Sequence, residues 1–142
     1  MNSPERFDVQ PSISNHFSWI RTRYAVERTH MAWVRTAISL IAFGFTIVQF
    51  FQRFSQMPGA TERPISPGAP RVLGLALIGI GVLALLISSW QYRQSVNYLW
   101  QPQFSAIAGL SEKPHGTPTL LAAMVLMLIG LFAFLSVFFR LA

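Results

Sequence analysis

Three blocks of apolar residues dominate this chain, and each is about as long as the ~20 residues that a helix needs to cross a bilayer. They run from Met31 to Phe51, from Val72 to Trp90 and from Leu120 to Phe139. Only 11% of the 142 residues are charged, against about 25% in an ordinary soluble domain. The reading is therefore an all-α integral membrane protein with three transmembrane helices. Spans are expected at about 28–53, 71–93 and 118–140, within one membrane domain over 14–142.

The segments between the blocks fit that reading. Residues 1–13 are polar and hold Pro4 and Pro11, so this N-terminus is expected to be disordered. From Ser14 the apolar residues Ile13, Phe17, Ile20 and Tyr24 recur at helical spacing, which predicts a short N-terminal interfacial helix or else the first turns of a longer one. Pro58, Pro64, Pro67 and Pro70 break the chain after the first span. The second span is expected to continue as helix to about Trp100, with Pro102 as its latest stop. Gly109, Lys113, Pro114, His115 and Gly116 mark a second loop. Thr117 or Thr119 could cap the third span, and Arg140 would snorkel to the interface.

Charge sets the expected orientation. Eleven Lys+Arg against five Asp+Glu give a net charge of +6. Arg21, Arg23 and Arg28 cluster before the first span, which favours an N-terminus in the cytoplasm and a C-terminus outside. The expected location is the inner (plasma) membrane. A cleavable signal peptide is not expected, because the first apolar block begins too far in and behind too many charges.

The first span carries most of the chemistry. On a helical wheel with Glu27 at the origin, Arg28, Arg35, Ser39, Thr46, Gln49 and Arg53 all fall between about 40° and 120°. Trp33, Leu40, Ile47 and Phe51 fall near 200–240° and read as the lipid side. The sevenfold spacing of Arg21, Arg28, Arg35 and Gln49 keeps the polar stripe on one partner if the helices supercoil left-handed. An arginine at the bilayer centre costs about 2.5–3.5 kcal/mol on insertion scales. Arg35 should therefore face a bundle interior or a hydrated cavity, or else snorkel or pair with Glu27. Rings of Arg28, Arg35 and Arg53 could guide anions, with Ser39, Thr46 and Gln49 along the middle. The competing reading is a dry bundle, a non-conducting membrane scaffold or accessory subunit whose hydroxyls bond between helices.

Other chemistry finds no support in the sequence. With no cysteine, thiolate metal sites and cysteine nucleophiles drop out. His16, His30 and His115 show no metal spacing, and His30 reads as an interfacial residue. Paired carboxylates and a phosphate-cradling glycine loop are missing. No enzyme activity, cofactor, metal or nucleic-acid partner is expected. Gly74, Gly81 and Ser88 lie seven apart, as do Ala123 and Gly130, and read as seams where the second and third spans pack. Trp90, Tyr92, Tyr98 and Trp100 read as an interfacial aromatic belt.

The stretch containing Ala25, Glu27, Arg28, Thr29, Ala32, Trp33, Arg35 and Thr36 resembles the signature of the YidH-type "domain of unknown function 202" membrane family, roughly A-x-E-R-T-x-L-A-W-x-R-T. Met31 stands where leucine is commoner. That domain is similar to the membrane portion of the vacuolar transporter chaperone complex, which makes and moves polyphosphate. The resemblance implies a homo-oligomer, a pentamer around a basic pore, with Glu27, Arg28, Arg35 and Arg53 near the conduit. Glu27 would then be a structural ion pair, holding Arg28 or a neighbouring subunit's Arg35. No counterpart of the complex's soluble polymerase module is present in the sequence, so polyphosphate synthesis is not expected. Inorganic anions or polyphosphate are the implied partners, beside the lipid bilayer.

Overall fold

In a computed structural model of the chain, residues 9–57, 68–109 and 117–139 are described. They form four helices: α1 (Ile13–Phe54), α2 (Gly68–Leu99), α3 (Pro102–Ala108) and α4 (Pro118–Phe139). α1, α2 and α4 are each long and apolar enough to cross a membrane. The expectations for residues 1–8, for Pro58, Pro64 and Pro67, for Lys113 and His115, and for Arg140 lie outside the described residues. Pro70, read as part of the loop, sits instead in the first turn of α2, where the missing N–H costs no helix bond.

The amphipathic stretch from Ser14 is helical, but it is not a separate interfacial helix. It is the start of a single 42-residue α1, about 63 Å long at 1.5 Å per residue. Ser12 caps it, its hydroxyl accepting from the Asn15 amide at 3.1 Å, which satisfies one of the free N–H groups of the first turn. Nothing in the sequence breaks the helix before Ser55, since no proline or glycine pair intervenes. Arg53 in the last turn complements the helix dipole.

α1 and α2 pack antiparallel along a seam that repeats every seven residues on both. Small residues of α2 meet α1 in order. Ser88 bonds His30, Gly81 sits under Ala37 and Ile41, and Gly74 lies against Gly44 and Val48. A Cβ on Gly81 would come within 2.9 Å of the Ala37 carbonyl oxygen, and one on Gly74 within 2.7 Å of that of Gly44. Backbones this close leave no room for side chains, so the glycine heptad is what allows the contact. The buried residues of α1 after Trp19, namely His30, Val34, Ala37, Ile41, Gly44 and Val48, trace the matching stripe.

α4 joins through Gly130, which rests on Ile41 and Val82, and through Phe134 against Gly79. Ala123 and Val137 complete the core with Ile78 and Leu85. The seam residues Ala123 and Gly130 thus pack as their spacing implied. Thr117 offers its carbonyl to the amides of Leu120 and Leu121. Neither its hydroxyl nor that of Thr119 has a hydrogen bond among the described residues, so the expected side-chain cap is not made.

Beyond the spans, the first turns of α1 close the ends of two other helices. Trp19 Nε1 donates to the Leu99 carbonyl at 3.0 Å, and the His16 ring shares a hydrogen bond of 2.6 Å with the Ile107 carbonyl. Both carbonyls belong to last turns that lack partners within their own helices. α3 occupies part of the expected second loop. Pro102 stops α2 and, at the first position of α3, starts the next helix. Gly109 ends it with φ 68°, in the left-handed region, and His16 Cε1 stands 2.8 Å from where its Cβ would be.

Candidate functional site

The polar stripe lies on the side of α1 that the other described residues leave uncovered. Arg28, Arg35, Ser39, Thr46 and Arg53 are exposed and Gln49 is half-buried. The contact face formed by His30, Val34, Ala37, Ile41, Gly44 and Val48 centres near 300° on the same wheel, about 140–160° from the arginines. The side expected to be the lipid face is divided: Trp33 is 49% exposed, whereas Leu40, Ile47 and Phe51 are half-buried at the margin of the seam.

Contacts between the helices set the depth of each arginine. α4 is 22 residues long, about 33 Å, and matches the ~30 Å hydrocarbon core. Gly130 lies near its middle and touches Ile41, so Ile41 marks the mid-level on α1. Arg35 is then about 9 Å from that level, Arg28 about 20 Å on the same side and Arg53 about 18 Å on the other. Of the three stripe arginines Arg35 alone falls inside the apolar slab; Arg71 of α2, level with residue 47 in the register set by Gly74 and Gly44, lies at about the same depth on the other side of the mid-level. Arg28 and Arg53 stand near its two edges.

The hydroxyls of the stripe are already engaged. Ser39 Oγ donates to the Arg35 carbonyl at 3.1 Å and Thr46 Oγ1 to that of Ala42 at 2.8 Å. Their protons are spent on the helix itself, so outward they present oxygen lone pairs. They can accept from water or guanidinium, but do not donate to an anion in this rotamer. Positive potential on this face comes from the arginines.

Glu27 is half-buried, and among the described residues no salt bridge ties it to Arg28 or Arg35. Helix geometry accounts for this. Arg28 is the next residue and points about 100° away, and Arg35 is two turns further along. Of the expected pairs, only one with another subunit's arginine stays open to this carboxylate.

A second polar site, missed in the sequence, sits on the opposite flank. His30 is 3% exposed, against the expectation of an interfacial residue. Its Nδ1 shares a hydrogen bond of 2.7 Å with Ser88 Oγ. Its ring stacks on Tyr92 at 4.7 Å between centroids. Nε2 is buried with no partner among the described residues. Tyr92, at 5% exposure, therefore leaves the aromatic belt. Trp100 leaves it in part, packing edge-on to Trp19 at 5.5 Å, while Trp90 and Tyr98 remain exposed. The signal for His30 was available: it continues the three- and four-residue spacing of Val34, Ala37 and Ile41, and it pairs with the third member of the Gly74, Gly81, Ser88 series.

Residues 18–98 match the model of a protein family described as a domain of unknown function, DUF202. The match takes in the α1–α2 pair, with both the stripe and the His30–Ser88 bond, and stops before α3 and α4. No curated protein and no solved structure matches the chain.

Proposed function

The chain belongs to the DUF202 family, whose model covers more than half of it, and on that premise we propose that it forms a homo-oligomeric, Arg-lined conduit or sensor for anions, phosphate species first among them. The observation that carries the reading is the bare polar stripe of α1. Arg35 stands about 9 Å from the mid-level of the slab on a face that none of the described helices covers. Against acyl chains this residue is costly, so the face calls for water or for other copies of itself. A ring of first helices supplies both. Five copies is the number suggested by the resemblance to the polyphosphate-handling complex.

In this assembly each residue has a distinct task. Arg28 and Arg53 raise the local anion concentration at the two mouths, and Arg35 lowers the barrier between them. Ser39, Thr46 and Gln49 hold the water that solvates the passing ion. Glu27 fixes a neighbouring subunit's arginine. The cluster of arginines before the first span favours an N-terminus in the cytoplasm, and with three crossings the C-terminus would then lie outside the plasma membrane.

Phosphate and short-chain polyphosphate flux into liposomes is the direct test, comparing the wild-type chain with Arg35→Ala. The expected result is flux above empty liposomes that falls sharply in the variant. Background flux from both supports the non-conducting scaffold instead.

A further inference from the structure

The flank of the α1–α2 pair opposite α4 holds two adjoining cavities of about 260 and 320 Å³. They share Trp33, Ser88 and Gln91 and so form one continuous groove. Its two ends differ in chemistry. One is lined by Ile80, Leu83, Ala84 and Ile87. The other is lined by Thr22, Thr29, His30, Gln91, Tyr92 and Ser95.

The order of these ends follows the bilayer. The antiparallel pairing of Gly81 with Ala37 and of Ser88 with His30 places Ile80 to Ile87 beside residues 31–38 of α1. That stretch lies about 4–15 Å from the mid-level, within one leaflet's acyl region. Thr22 to His30 lies about 16–28 Å away, where headgroups and interfacial water sit. The groove therefore turns from hydrocarbon-like to hydrogen-bonding at the depth where a lipid does the same. Among the described residues no charged side chain lines either cavity, so the polar end recognises by hydrogen bonds. His30 also lines that end, but its unpartnered Nε2 is closed off from the groove, so Thr22, Thr29, Gln91 and Ser95 are the hydrogen-bonding groups a ligand meets.

We infer that this groove is a binding site for one glycerophospholipid of the leaflet on the α1 N-terminal side. An acyl chain runs along Leu83 and Ile87, and the glycerol and headgroup region meets Thr29, Gln91 and Ser95. The site rests on the membrane crossing alone and not on conduction, so the flux experiment and the one below fail separately.

The test is photolabelling of the full chain in phosphatidylcholine vesicles that carry phosphatidylethanolamine with a diazirine in the middle of one acyl chain. Labelled peptides are mapped by mass spectrometry. The expected result is labelling of Leu83 and Ile87 above that of Leu128 and Phe132, which are freely exposed on α4. Ile87→Trp fills the groove and should abolish the excess while α4 labelling is unchanged. Ile87 is 54% exposed, so the larger ring does not enter the packed seam. Gln91→Ala with Ser95→Ala should also reduce the excess, by weakening the polar end. Uniform labelling of both helices, an excess insensitive to all three substitutions, or crosslinks joining the groove to a second copy of the chain would overturn the assignment.

Discussion

Two polar residues of α1 are handled in opposite ways. His30 is turned inward, and its position is fixed by Ser88 and Tyr92. Arg35 is turned away from the other described helices. The difference follows from what each requires. An imidazole has two ring nitrogens, one of which Ser88 engages while the other is left over, whereas a guanidinium needs several acceptors or water. Ser88→Ala leaves a second imidazole nitrogen without a partner, so it should lower stability by about 1–3 kcal/mol. Because His30 and Ser88 are in contact, a double-mutant cycle with His30→Phe should give a coupling of about 0.5–3 kcal/mol. Detergent unfolding followed by circular dichroism measures both. Additive effects would mean that the bond contributes nothing.

At the scale of elements, the close contact of α1 with α2 depends on missing side chains. Gly81→Leu should split the pair, because the Ala37 carbonyl oxygen 2.9 Å from the new Cβ is backbone and has nowhere to go. Gly79→Ala is the matched control: its Cβ would meet only Phe134, at an ordinary 3.6 Å. Size-exclusion profiles and melting temperatures in detergent should show the first variant aggregated or strongly destabilised and the second close to wild type. Much of this was legible in the chain. Glycine and serine at sevenfold spacing announced the seam, and the three apolar blocks announced the spans. The continuation of α2 was legible too, expected to about Trp100 and found to Leu99; what could not be decided was whether the stretch from Ser14 is a helix of its own or the start of α1. Polar residues such as Asn15 and Thr22 carry no mark that distinguishes an exposed helix from a surface one, and Trp19 finds its partner 80 residues away. Pro102 was legible as a stop and not as a start, because one rigid ring serves both. His30 was misread for a related reason: its spacing matched the core, but its polarity suggested the interface.

The whole molecule has one face richly packed and one left bare. The Trp19–Leu99 and His16–Ile107 bonds lie about 33 Å or more from the mid-level, so α1, α2 and α3 carry a structured end beyond the slab. Trp19→Phe removes the donor to the Leu99 carbonyl. It should speed amide exchange in α3 and at the end of α2 while leaving the spans unchanged, which hydrogen-exchange mass spectrometry resolves. The candidate site was legible as a stripe, since Arg28, Arg35, Ser39, Thr46, Gln49 and Arg53 align on any helical wheel. The hydroxyl rotamers were not, because a Ser or Thr proton chooses between its own helix and a neighbour only once the surroundings exist.

That bare face is the centre of the account, and the chain's lack of cysteine makes it directly measurable. Single cysteines at Ser39 and Thr46 on the stripe, and at Leu128 and Phe132 on α4, can be exposed in proteoliposomes to a water-soluble thiol reagent and to oxidative crosslinking. Ser39→Cys and Thr46→Cys are predicted to react with the reagent and to form disulfide-linked dimers, while Leu128→Cys and Phe132→Cys stay inert in lipid. Unreactive stripe cysteines that yield only monomer would contradict the claim that the arginine face of α1 looks onto water and other copies of the chain.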